Sequence, residues 1–144
     1  MDAASARELV EVRAAAGVAI ATGERLMPEE YARYLAVGAA DVMILDIPFL
    51  GARDAVTIAA RCATHGVLVA PHNCYSPLAT MMSAAFCAVV PNLGLMEFDV
   101  DGVPWENSFV TSPPVTRGGY LEIPEGPGWG TEVNEEAVRA HTVE

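Results

Sequence analysis

Four ionisable side chains stand at or just beyond the ends of short apolar runs, and their types suit moving a proton at carbon. Glu24 follows the run Gly17 to Ala21, Asp46 follows Val42 to Leu45, His72 follows Val67 to Ala70, and Glu97 follows Leu93 to Met96. A carboxylate beside an imidazole fixes the ring tautomer and supports its charged form, so Asp46 and His72 on neighbouring strand ends make an acid/base pair. A glutamate on a third strand, Glu24, can hold a hard cation through oxygen and so stabilise an enediolate. Glu97, on the far side of His72, can hydrogen-bond a substrate oxygen as charge develops there. Taken singly, each residue has a plainer use. A histidine after a strand commonly only hydrogen-bonds structure, and Asp46 before Ile47-Pro48 could simply cap a helix. Their recurrence at four successive strand ends is what points to a site.

The elements that would carry these residues follow from hydrophobic patterning. The four runs begin at residues 17, 42, 67 and 93, a unit of about 25 residues, and helical patterns lie between them. Pro28 to Val37, Asp54 to His65 and Ser76 to Val90 read as those helices, with a further one over Ala3 to Ala15 ahead of the first strand. Strand and helix alternating at that period imply parallel strands joined by right-handed crossovers. A doubly wound sheet would show a glycine-rich phosphate loop after its first strand, whereas "ATGERL" has one glycine and an acid. In a (β/α)8 barrel the strand ends converge on one mouth, which suits the four groups. The expectation is an α/β chain of four βα units, half of such a barrel, over residues 1–97. Residues 98–144 read as an irregular tail with a short hairpin, Phe109 to Val115 against Tyr120 to Ile123, and a last helix capped by Asn134.

Composition narrows the function classes. Half the chain is hydrophobic (52%), enough for a real core, and the net charge is −11 with 19 acidic residues. All eight basic residues are arginine, so a nucleic-acid partner is not expected. Cys62, Cys74 and Cys87 are odd in number and show no CxxC spacing, which suits thiols of a reducing compartment. The start lacks a signal-peptide order and the longest apolar stretch, about a dozen residues, is too short to span a bilayer, so a cytoplasmic location without a membrane partner is expected. His65 and His141 read as surface residues, Trp129 as exposed between glycines, and Asn73, Cys74 and Tyr75 as lining the mouth.

The stretches "VAIATGERL", "VMILDIPFLG", "VAPHNCYSPLA", "LGLMEFD" and "IPEGPGWGTEVNEEAV" resemble the C-terminal part of the enolase superfamily. Within it they are most similar to the mandelate racemase/muconate lactonizing enzyme subgroup, especially its acid-sugar dehydratases. The resemblance runs from about Val18 to the end. It implies strands five to eight of the family barrel, with Glu24 as a ligand of Mg2+, Asp46 and His72 as the family's dyad, and Glu97 as the acid that contacts substrate oxygen. It further implies a small carboxylate substrate, a sugar acid or 2-hydroxy acid. The proton alpha to the carboxylate is removed through an enediolate, followed by loss of the β-hydroxyl, or by reprotonation in a racemase. The capping domain, the first four strands, two metal carboxylates and the lysine base of the family have no counterpart here. "FLGARDA" also has Ala52 where the subgroup usually shows a glycine. The expectation is therefore that the isolated chain does not turn over. The alternative is a non-catalytic half-barrel remnant that covers its open strand edges by self-association.

Overall fold

The computed structural model describes residues 3–142. Helix α1 (Ala3–Ala16) leads into β1 (Ala21–Thr22), then α2 (Tyr31–Val37), β2 (Val42–Asp46), the single turn α3 (Ile47–Leu50), α4 (Ala52–Thr64), β3 (Leu68–His72) and α5 (Pro77–Cys87). The three strands form one parallel sheet in the order β1-β2-β3. The segments joining them are long enough for the crossover a parallel pair requires, and each contains a helix.

Local chemistry explains the helices. In α4 the buried residues Ala55, Ile58, Ala59 and Cys62 recur at helical spacing. Its Asp54 lies in the first turn and Arg61 in the last, each favourable to the helix dipole. In α5, Ser76 caps the start by accepting from the Ala79 N–H and Pro77 occupies the first turn. That helix is buried nearly all round, as its composition suggests. α2 stops at Gly38, whose left-handed backbone lets its N–H reach the Leu35 carbonyl. The core is built from Leu26, Tyr31, Tyr34, Met43, Leu45, Ile47, Ile58 and Val69 among others, between the sheet and the helices.

Three expectations need correction. The first strand is shifted, forming over Ala21–Thr22 rather than Gly17 to Ala21, because β2 pairs with it only from Ala21↔Val42 onward. The fourth run, Leu93 to Met96, is not a regular strand. It lies beside β3 through one parallel bridge, Val69↔Leu93, with hydrogen bonds from Val69 N–H to Asn92 O and from Gly94 N–H to Val69 O. The next bond of the ladder would need an N–H at position 71. Proline has none, so the pairing stops there and resumes only as a long contact from Glu97 N–H to Pro71 O at 3.4 Å. In the tail, Phe109 closes a 3-10 turn (Glu106–Phe109) instead of opening a strand. The antiparallel pair that forms is shorter, β4 (Thr116–Arg117) with β5 (Tyr120–Leu121) around Gly118 and Gly119, both at positive φ. Asn134 caps the last helix, α6 (Glu135–Ala140), through the Ala137 N–H. Trp129 is half-buried, and His141 stacks on Trp105 at 5.3 Å.

An ion pair fastens α1 to the sheet at the end opposite the strand C-termini. Arg13 Nε and Nη2 donate to Asp41 Oδ1 at 2.9 and 2.6 Å, and Asp41 Oδ2 accepts from the Ile20 N–H at 2.9 Å. The Arg13 hydrogen bond first, and the Ile20 N–H second, hold the Asp41 carboxyl below its ordinary value. A depressed carboxylate pKa adds stability that is full above the unfolded value, near 4, and is lost as pH falls through the folded value. Asp41→Asn is therefore expected to lower the urea midpoint at pH 7, and the gap to wild type should close below about pH 4. A gap of constant size from pH 7 to pH 3 would show that the charge is not what Asp41 contributes.

Candidate active site

Strand register brings the first two groups together. In the β2–β3 ladder Asp46 lies directly beside His72, so the last residues of two adjacent parallel strands present their side chains to the same end of the sheet. His72 Nδ1 is 3.1 Å from Asp46 Oδ2. Asp46 also caps α3, its Oδ1 accepting from the Phe49 N–H at 3.0 Å. The cap and the imidazole partner are thus alternatives the residue does not have to choose between, since each uses one carboxylate oxygen. The Asp46 side chain is 5% exposed and that of His72 19%, so the pair sits at the lip, with the carboxylate beneath and the ring above.

Glu24 reaches the same mouth from the turn after β1. Its Oε2 lies 3.7 Å from His72 Nε2, and its Oε1 lies 3.4 Å from Arg25 Nε, with 44% of the side chain exposed. Gly23 sets this position. Its backbone (φ +133°) runs so close to β2 that a Cβ there would stand 2.6 Å from Ile44 O. The Tyr31 hydroxyl, fully buried, lies within hydrogen-bonding distance of both the Gly23 and the Ile44 carbonyls.

Glu97 is held by Asn73, the residue that follows His72. Its Oε2 accepts from the Asn73 N–H at 2.9 Å, and the Asn73 side chain donates to the Glu97 carbonyl at 3.2 Å. Asn73 is buried and also bonds Thr80 of α5. It is therefore the bracket that places Glu97 where the β ladder has lapsed. Position alone could not assign that bracket role to Asn73, although an amide next to the histidine is the residue type for it. Tyr75 is the second residue whose contacts the sequence hides. Its hydroxyl donates to Asp46 Oδ2, and its ring meets the imidazole edge-on, with centroids 5.5 Å apart.

Around His72 Nε2 lie the Glu24 carboxylate and, at 3.5 Å, the Cys74 sulfur. Cys74 is exposed, whereas burial pushes the Cys62 and Cys87 thiols up to about 11. Iodoacetamide is expected to alkylate Cys74 at least about 10-fold faster than either of the others in the folded chain, with the difference vanishing in denaturant. Peptide mass spectrometry along a time course reads this directly. Equal rates in the folded chain would mean that Cys62 and Cys87 are not shielded from solvent.

The arrangement can take up and deliver a proton at His72 Nε2, with Nδ1 occupied by Asp46, toward a ligand in the mouth. A magnesium ion is a different matter. Glu24 supplies a single carboxylate, and among the described residues no group of three or more His, Cys, Asp or Glu side chains is placed to hold a metal ion. An octahedral oxygen shell needs more donors, so these residues alone do not fit that ion. No helix among the described residues is long and apolar enough to cross a membrane.

Comparison with known proteins gives a consistent result. The model of the "Enolase C-terminal domain-like" family matches residues 1–137. The D-xylonate dehydratase of Haloferax volcanii is 36% identical over 74% of this chain and 26% of its own length. The D-gluconate dehydratase of Thermoproteus tenax is 32% identical over 87% of the chain and 26% of its own length. Among solved structures, the mandelate racemase/muconate lactonizing enzyme of Jannaschia sp. CCS1 superposes with a TM-score of 0.89 at 27% identity, covering 100% of this chain and 37% of that one. A Burkholderia xenovorans strain LB400 protein, provisionally named an L-alanine-DL-glutamate epimerase and bound to magnesium and fumarate, gives 0.87 at 39% identity, covering 95% and 34%. The chain thus spans about a quarter of the length of these curated relatives.

Proposed function

The chain belongs to the enolase C-terminal domain-like family, and from that premise we propose that it carries the proton-transfer side of an acid-sugar dehydratase site. The observation that carries the reading is the Asp46–His72 pair, joined by strand register, with Nε2 directed to the mouth. Dehydration is preferred to racemisation because the curated relatives include D-xylonate and D-gluconate dehydratases.

In this reading the substrate is a sugar acid. Its α-proton passes to His72 Nε2 as the C–H electron pair moves into an enediolate. The same imidazolium then protonates the β-hydroxyl, which leaves as water, and an enol of the keto acid remains. Asp46 keeps Nδ1 protonated and offsets the positive charge on the ring in between. Glu97, aimed by Asn73, meets a substrate oxygen. Glu24 is assigned one oxygen of a hard-cation shell and no more, since the remaining donors lie outside these residues. Residues 1–97 act as four βα units of the barrel, the last of them irregular, and 98–144 as a tail packed on it. Leu93, Leu95, Phe98 and Val100 remain exposed and line one cavity with Tyr120, Leu121 and Ile123 of the tail.

The isolated chain is then expected to show no turnover. Joined to the N-terminal portion of the Haloferax volcanii D-xylonate dehydratase, in place of that protein's matching segment, it is expected to dehydrate aldonic acids in the presence of magnesium. A chimera that folds but makes no keto-deoxy acid, while the unaltered relative does, overturns the proposal. Turnover by the 144 residues alone overturns the division of labour.

A further inference from the structure

Asp46 is surrounded by more donors than a dyad needs. One oxygen is tied to the Phe49 N–H, and the other faces both His72 Nδ1 and the Tyr75 hydroxyl. The carboxylate is nearly fully buried, so water has little access to these lone pairs. We propose that Tyr75 is a positioning residue, whose hydroxyl shares Asp46 Oδ2 with His72 and thereby sets how firmly Asp46 holds the Nδ1–H. This rests on the reading of Asp46 and His72 as the proton-transfer pair, and adds a third member to it.

Three observations support the assignment. First, the phenol is a donor to this oxygen. Its hydrogen bond to Asp46, with a smaller contribution from burial, pushes the Tyr75 pKa up to about 12, so the phenol keeps its proton through the neutral range. Second, two donors on one carboxylate oxygen divide its electron density, and each bond is weaker than it would be alone. Third, the Tyr75 ring packs edge-on against the imidazole at an interplanar angle of 87°, which closes one side of the ring to rotation. The hydroxyl and the ring therefore have separable effects on His72. Chain geometry makes the arrangement inexpensive. Tyr75 lies three residues after His72, in the loop that Ser76 and Pro77 end by starting α5, so no distant segment has to be ordered to supply it.

The experiment uses the 15N-labelled chain at pH 8 and reads both ring nitrogens of His72 through its carbon-bound ring protons by long-range NMR correlation. Wild type is expected to show the Nδ1–H tautomer. In Tyr75→Phe, which keeps the ring and removes the hydroxyl, the tautomer should persist and the Nδ1 resonance should move downfield, because His72 then has Oδ2 to itself. In Tyr75→Ala the Nδ1–H preference should fall as the imidazole is freed. Asp46→Asn marks the shift for loss of the partner. If wild type shows the Nδ1–H tautomer and Tyr75→Phe leaves the Nδ1 resonance where it was, Tyr75 has no such role and the pair stands without it. If wild type itself shows Nε2–H, the pairing of Asp46 with His72 is wrong, and the role of Tyr75 falls with it.

Discussion

Replacing Gly23 with alanine is expected to lower the stability of the chain by about 2–6 kcal/mol. Two costs combine. The backbone there has φ +133°, a region L side chains rarely adopt, at about 1–3 kcal/mol. The new Cβ would stand 2.6 Å from Ile44 O and 3.2 Å from Ile44 N, and neither is a flexible side-chain end. Relieving that overlap means pushing β1 off β2, whose only register pairs are Ala21↔Val42 and Thr22↔Met43. Overpacking of this kind costs about 1–3 kcal/mol. It would also disturb the buried Tyr31 hydroxyl, which lies between the Gly23 and Ile44 carbonyls. For a chain of this size the loss corresponds to a fall in Tm of about 5–20 °C. The control is Gly17→Ala, also at positive φ but with open space around the added carbon. It should cost only the backbone part. Equal losses at the two positions would mean that close approach to β2 is not what requires glycine at 23.

Because Glu24 is the next residue, the same clash has a functional reading. The position of the Glu24 carboxylate is inherited from a backbone that only glycine can follow, and the composition of "ATGERL" gives no hint of this. What that stretch does reveal is the absence of a phosphate cradle, which separates a barrel from a doubly wound sheet. Legibility elsewhere divides along the same line. The 25-residue recurrence of apolar runs places Asp46 and His72 at neighbouring strand ends, and the ladder pairs them as register partners. Periodicity reports which face of an element is buried, and a parallel sheet turns that into which residues are neighbours.

What periodicity cannot report is where hydrogen bonding fails or how rotamers settle. Pro71 stands in plain view inside "LVAPH", yet the pattern 93–96 still looks like a strand because its side chains are apolar. Only the missing N–H ends the ladder there. That lapse is then compensated by Asn73, whose backbone and side chain both reach Glu97. The contact from Tyr75 to Asp46 depends on one loop's conformation and carries no spacing signal at all. Such side-chain contacts are the part of the site that composition and period leave open.

The second large effect concerns His72 in the chimera that supplies the rest of the barrel. Substitution by asparagine is expected to reduce kcat by about 10²–10⁴-fold, the usual worth of a positioned acid/base group, with a much smaller change in KM. The imidazole bonds Asp46 and packs against Tyr75, so loss of activity alone would not separate chemistry from packing. His72→Ala separates them. It leaves a space at the lip of the mouth, and added imidazole should restore part of the rate if proton transfer is what was lost. A structural defect would not respond to imidazole. Asp46→Asn should also cost activity, because an amide can still accept from the Phe49 N–H but presents no charge to Nδ1. Glu97→Gln should cost least in folding, since an amide oxygen can keep the bond from the Asn73 N–H. The order His72, then Asp46, then Glu97 in activity lost, with imidazole rescue confined to His72→Ala, is the pattern that follows from a proton moving at Nε2. Rescue of Asp46→Asn by imidazole, or none for His72→Ala in a folded chimera, would place the base elsewhere.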